Sequence, residues 1–244
     1  MSAAGRRYLV VDDNRPLAEN LAEILETSGA VVDVEVDPEA ALHRLRARRY
    51  SALVTDMRMP GLGGAELLAA ARRADPALPA LVVTAFIGDA DLARVERMGV
   101  LATLPKPVPV ETLLHRLEHA RRGAVVWVLH DASDRVSRLL ELVREHGCTP
   151  LPFTPAELPP PGPTPLMAVM ADTAEHDAEA WAKAHPEVHL LRLPASSNFF
   201  SCAFSAAASS VPSPSGRRTS TSATSNPSAA RARAVAQLVA RRTL

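Results

Sequence analysis

Lysine is nearly absent from this chain of 244 residues: only Lys106 and Lys183 stand among 27 basic residues, and all the others are arginine. A lysine kept against that bias marks a place where a compact, flexible point charge is wanted and a planar guanidinium does not serve. Cysteine is also scarce. Cys148 and Cys202 have no metal-binding spacing and allow one disulfide at most, which excludes a disulfide-stapled scaffold and leaves a reduced, cytoplasmic setting as the expectation. No run approaches eighteen apolar residues, so no membrane span is expected. The amino-terminal stretch MSAAGRRYLVVDD has only YLVV before two aspartates interrupt it, too short for a secretory signal. Acid, finally, is missing from one end. All 27 acidic residues lie at or before Glu187, whereas residues 196–244 carry six arginines. A net charge of zero thus hides −6 on the first 195 residues and +6 on the rest, a composition break that reads as a boundary.

What is present is an alternation of two periodicities over the first 122 residues. YLVVD (8–12) is a short apolar run ending in acid, as a buried strand reads. Asn14 and Pro16 signal a helix start, and Leu17, Leu21, Ile24 and Leu25 follow at helical spacing up to Gly29. VVDVEV (31–36) alternates as a strand, and residues 38–48 put Ala41, Leu42 and Leu45 on one helical face. SALVTD (51–56), ALVVTA (80–85) and LATLP (101–105) read as further strands, with helices over 65–73, 89–98 and within 109–121. Five strand-then-helix repeats predict an α/β fold: a doubly wound, five-stranded parallel sheet with helices on both faces. Ligands of such sheets bind at the carboxyl ends of the strands. The polar residues there are Asp12, Asp13, Asp56, Thr84 and Lys106.

Three carboxylates converging on one cleft repel one another unless a cation intervenes. A hard divalent cation with oxygen ligands answers this, and Mg²⁺ in particular binds one or two carboxylates together with a phosphate. Thr84 offers a hydroxyl and Lys106 an ammonium, both suited to phosphate oxygens. Together these groups describe a charge-compensated phosphoryl site, with Asp56 as nucleophile and catalysis by positioning and electrostatics. Each residue alone has a plainer reading: Asp12 and Asp13 as helix caps, Asp56 as a turn cap, Lys106 as a surface charge. Their joint placement at strand ends is what favours the site.

VVDDN, LVTDMRMPGLGG, VVTA and LPKP, in this order and spacing, resemble the receiver domain of bacterial two-component response regulators, with its flavodoxin-like fold. The resemblance covers about the first half of the chain. It implies that Asp56 accepts a phosphoryl group from a histidine kinase or phosphotransfer protein. It further implies that Asp13 binds Mg²⁺ directly, Asp12 through water, and the backbone carbonyl of Arg58 as a third protein ligand beside Asp56. Thr84 and Lys106 would bind the phosphoryl oxygens, and the Lys106–Pro107 bond is expected to be cis. The last strand, last helix and preceding helix would report the phosphoryl state to an unnamed downstream protein. The pattern departs at Thr103, where receivers often carry an aromatic residue, and at Gly63, often acidic in the family.

After Gly123 the beginning recurs. AVVWVLHD (124–131) stands where YLVVDD stood, and DRVSRLLELVREHG resembles the first helix, so that an offset of 118 sets His130 and Asp131 opposite Asp12 and Asp13. LMAVMAD (166–172) sets Asp172 opposite Asp56, and VHLLRLPA (188–195) puts Pro194 in the place of Thr84. ELPPPGPTP replaces a helix, and no K-P pair follows. Residues 123–195 therefore read as a degenerate receiver-like domain, with Asp172 a relic and His130 an ordinary strand-end residue. Residues 196–228 are rich in Ser, Ala and Pro, a composition expected to be disordered. Residues 229–244 read as a basic amphipathic helix with Val235, Leu238 and Val239 on one side. The break near 195 also fits a tail that is not the evolved end of the fold.

The function expected from sequence is a phosphoacceptor regulator without a DNA-binding output domain, acting through partner contacts and not as an enzyme. No helix-turn-helix, Gly-rich nucleotide loop or catalytic triad is found, and neither nucleic acid nor membrane is expected as a partner. The rivals are a phosphate sink or relay intermediate, and a metal-dependent phosphatase of similar topology. The latter usually carries a second aspartate two residues past the nucleophile, where this chain has Arg58. A DNA-binding regulator working through 229–244 is a third.

Overall fold

The computed structural model describes residues 5–85, 90–130, 135–154, 165–171, 175–186, 188 and 190–193. Strands β1 (Arg7–Val11), β2 (Val31–Glu35), β3 (Ala52–Asp56), β4 (Ala80–Thr84) and β5 (Ala102–Pro105) form a parallel sheet in the order β2-β1-β3-β4-β5. Helices α1 (Arg15–Glu26), α2 (Pro38–Ala47), α3 (Gly64–Ala74), α4 (Ala90–Arg97) and α5 (Val110–His119) connect and cover it. The strand order reverses between β1 and β3, so their carboxyl ends frame the crevice in which a doubly wound sheet binds its ligand.

Period-two alternation of the central strands feeds two cores. Leu9, Val11, Leu53, Ala80 and Val82 face α2, α3 and α4, while Tyr8, Val10, Ala52, Val54, Leu81 and Val83 face α1 and α5. β3 and β4 are buried along their whole length, as a strand covered on both faces must be. β2 differs from its expectation: it is the sheet edge, and none of its residues is fully buried. Its alternation is muted because one flank faces solvent. Asn14 caps α1 by accepting from the Leu17 amide, and Asp37 caps α2 by accepting from Glu39 and Ala40.

A second parallel sheet follows, built from β6 (Val125–Leu129), β7 (Thr149–Phe153), β8 (Met167–Ala171) and β9 (Leu190–Leu193) in the order β7-β6-β8-β9. Helix α6 (Arg135–Glu145) lies over one face against Val126, Val128 and Val169. Helix α7 (Glu175–Ala184) covers the other, where Trp181 packs edge-on against Trp127 with Phe153 beside it. The described strands thus repeat the order of β2-β1-β3-β4. Neither β7 nor α7 was expected from sequence. The expected positions of Asp131, Asp172, Pro194, the proline-rich stretch 157–164, the disordered tail 196–228 and the basic helix 229–244 lie outside the described residues. Among the described residues, no helix is long and apolar enough to cross a membrane.

Candidate functional site

β1 and β3 end side by side, and each strand delivers its acid at the last turn of the ladder. Asp12 follows β1 with its amide donating to Glu35 O, and Asp56 closes β3 in register with Val83 of β4. Asp12 and Asp56 are 2% and 6% exposed, whereas Asp13 is exposed to solvent. Oxygen atoms of Asp12, Asp13 and Asp56 all lie within 4.8 Å of one another. Carboxylates that close stay ionised together only if positive charge stands among them.

Lys106 supplies one such charge. Its Nζ lies 2.8 Å from Asp56 Oδ1 and 2.9 Å from Asp12 Oδ2, bridging the two strand ends. Burial by itself pushes the ammonium down, but hydrogen bonds to Asp56 and Asp12 outweigh it and the net shift is upward. The lysine is held at the cleft by its own backbone, because its amide donates to Thr84 O at 2.9 Å. The Lys106–Pro107 bond is cis, as expected. Thr84 ends β4 in register with Pro105 and is buried at the same carboxyl edge. All five polar residues singled out from sequence thus occupy one end of one sheet.

Backbone amides complete the cradle. The Arg58 amide donates to Asp56 Oδ2 at 2.9 Å, and the Asn14 amide donates to Asp12 Oδ1 at 2.9 Å. Asp56 therefore has one oxygen on a lysine and the other on an amide, which fixes its rotamer. Arg58 thus contributes its amide to the cleft, on the residue whose carbonyl the resemblance gives as a metal ligand. The part of Asn14 in holding Asp12 was missed, since its capping role already accounted for it. Gly64 was missed as well. A Cβ there would land on the Asp56 carbonyl oxygen, so only glycine lets α3 start this close to the acid. The signal was the Gly63-Gly64 pair itself. Thr103 lies on β5 with its Oγ1 buried and without a hydrogen-bond partner.

The donor set fits a hard divalent cation: three carboxylates at one edge, with room for solvent beside the exposed Asp13. What the arrangement can do chemically is hold a nucleophilic carboxylate and gather positive charge about a phosphoryl group. The second sheet offers less. His130 follows β6 with its amide on Phe153 O, copying the backbone pairing of Asp12 without its carboxylate.

The family model of the response regulator receiver domain matches residues 8–118. A response regulator receiver protein of Anaeromyxobacter sp. (strain Fw109-5) is 49% identical over 142 residues, which cover 58% of this chain and 60% of that protein. The transcriptional regulatory protein TctD of Salmonella typhimurium is 35% identical over 157 residues, covering 62% of this chain and 68% of its own length. Part of each relative thus lies outside the match. Among solved structures, the receiver domain of a sensor histidine kinase of Pseudomonas aeruginosa PAO1, with a magnesium ion in its active site cleft, is 26% identical with a TM-score of 0.44, covering 47% of this chain and 96% of that one.

Proposed function

This chain belongs to the response regulator receiver family, and we propose that within it Asp56 is the phosphoacceptor of a two-component phosphorelay. The observation that carries the reading is the Lys106 ammonium bridging two buried carboxylates, Asp56 and Asp12, with Asp13 within reach of both. One Asp56 oxygen attacks the phosphorus of a phosphohistidine on a histidine kinase or phosphotransfer protein. The N–P bond breaks as the O–P bond forms, and imidazole leaves. Lys106 turns from Asp12 to the phosphoryl oxygens, the Arg58 amide holds the attacking carboxylate in place, and the Thr84 hydroxyl donates from the other side. Asp12, Asp13, Asp56 and the Arg58 carbonyl would hold Mg²⁺, which would supply positive charge for an anion approaching three carboxylates.

The protein then acts in a cytoplasmic setting by changing contacts with a downstream protein, and its only turnover is slow hydrolysis of its own acyl phosphate. A phosphoryl group adds about two negative charges and strong acceptors, enough to bias a two-state surface. We take residues 123–195 as a degenerate receiver-like unit. The support is its strand order, β7-β6-β8-β9, which repeats β2-β1-β3-β4. The test is labelling of the full chain by acetyl phosphate. Label that requires Mg²⁺ and is lost in Asp56→Asn is expected. Equal labelling of that variant and wild type would remove Asp56 from the role, and steady turnover of a small phosphate ester would favour a phosphatase.

A further inference from the structure

Helix α5 begins shortly after the acidic cleft and closes at the opposite, amino-terminal edge of the sheet, where Arg6 and Tyr8 at the start of β1 both donate to its Leu117 carbonyl. Its closing residues include two histidines that the phosphoacceptor site does not use. His115 and His119 stand one helical turn apart, so they share a face of α5, and both are exposed. Their rings meet there, with centroids 4.4 Å apart and planes inclined by 39°.

His119 is also oriented. Its Nδ1 lies 2.8 Å from the His115 carbonyl oxygen, and a carbonyl can only accept. Nδ1 therefore carries the proton, and in the neutral ring the free lone pair is left on Nε2. A backbone carbonyl on one imidazole nitrogen is the usual device that fixes the tautomer of a metal-ligating histidine. Taken alone, this contact is an ordinary way to finish a helix. It recurs at His146 on Leu142 O and at His185 on Trp181 O. What sets α5 apart is the side chain one turn earlier: a second imidazole there, but leucine and tryptophan at the other two.

The spacing of the rings fits a shared ion. A metal about 2.0–2.1 Å from a ring nitrogen stands roughly 3.2 Å from the ring centre, so two imidazoles bound at a right angle have centres about 4.5 Å apart. At a tetrahedral angle the centres would be about 5.2 Å apart. The observed 4.4 Å matches the right angle. Tetragonal nitrogen ligation suits Cu²⁺ and Ni²⁺, and among first-row divalent ions a nitrogen site holds Cu²⁺ most tightly. Mg²⁺ takes oxygen ligands and does not compete for this pair. Water can fill the remaining positions, since both histidines are exposed. The one cation between them in sequence, Arg116, is buried and paired with Glu141, while Glu111 and Glu118 add negative charge to the same helix.

We propose that His115 and His119 form a binding site for one divalent transition-metal ion, Cu²⁺ ahead of Ni²⁺ and Zn²⁺, separate from the acidic cleft. The ion ties residue 115 to residue 119 and holds the last turn of α5 in its helical form. Because the pair is assembled only in the folded helix, the bound ion also stabilises the fold by mass action.

The experiment is calorimetric titration of the full chain with Cu²⁺ in excess Mg²⁺, followed by electron paramagnetic resonance of the loaded protein. One Cu²⁺ per chain is expected, with nitrogen hyperfine splitting of the copper signal and a raised thermal midpoint. Replacing either imidazole turns a chelate into a single contact. His115→Gln and His119→Gln are therefore each expected to weaken binding roughly a hundredfold, with unchanged far-UV circular dichroism. His146→Gln and His185→Gln are expected to bind as wild type does, which separates the pair from helix-ending histidines in general. Absence of binding, or wild-type affinity in either His115→Gln or His119→Gln, would overturn the proposal. An equal loss in His146→Gln or His185→Gln would overturn it too.

Discussion

Lys106→Met isolates the electrostatics on which the cleft depends. The methionine keeps much of the aliphatic stem and deletes the charge that touches Asp56 at 2.8 Å and Asp12 at 2.9 Å. At an effective dielectric of about 20, each contact represents roughly 6 kcal/mol of gross attraction, most of it offset by the desolvation of the ions. Breaking a buried pair from one side leaves its partner unpaired and costs about 3–5 kcal/mol. The Lys106 side chain is 23% exposed, so solvent screens part of this and about 2–3 kcal/mol is expected. Urea unfolding in EDTA reads the loss directly. Repeating it at saturating Mg²⁺ reads the compensation, because metal at a hundred times its dissociation constant adds about 2.7 kcal/mol to a protein that binds it only when folded. The variant cleft has lost a positive charge, so its gain on adding Mg²⁺ should exceed that of wild type. A variant within about 0.5 kcal/mol of wild type in EDTA, with an equal Mg²⁺ gain, would refute the view that Lys106 balances these carboxylates.

Three further outcomes are expected. Gly64→Ala forces a methyl group onto the Asp56 carbonyl and should cost about 1–3 kcal/mol in thermal or urea unfolding, with slower labelling because the acid itself is displaced. Tyr50 donates to Asp33 at 2.7 Å, and burial followed by that bond pushes its phenol up to about 12. A raised phenol contributes stability that is present below its unfolded value near 10 and lost as pH climbs through about 12, so wild type should lose roughly 1–2 kcal/mol more than Tyr50→Phe across that window. Asp172→Asn should leave one phosphoryl group per chain in the intact mass, since that strand end has a proline where the first site has Thr84 and no lysine-proline pair after it.

The site was legible because its chemistry sits at strand ends, and strand ends are where an apolar run stops in acid. Asp12 and Asp56 each close such a run, Thr84 closes another in a hydroxyl, and Lys106 is one of only two lysines in an arginine-rich chain. The edges of the fold were harder to read. β7 (TPLPF) looks unlike a strand because Pro150 and Pro152 cannot donate to a ladder. Its register resolves this: the Thr149 amide donates to Ala124 O, so the amides of alternate residues point away from β6 and the two prolines fall on the side where no donor is needed. Helix α7 (EHDAEAWAKA) gave no apolar stripe, since Trp181 is its one large apolar residue. Contacts between the units had no sequence signal at all. Arg116 and Arg144 are two among many arginines, and only their bonds across to Glu141 and to Val100 O set them apart.

Asp56 as the phosphorylated residue is tested most directly by trapping the acyl phosphate. The full chain is labelled with acetyl phosphate and Mg²⁺, reduced with borohydride to convert phosphoaspartate to homoserine, digested and mapped by mass. Homoserine at position 56 and at no other aspartate is the expected result. Homoserine at Asp12, Asp13 or Asp172 with Asp56 unmodified would contradict it.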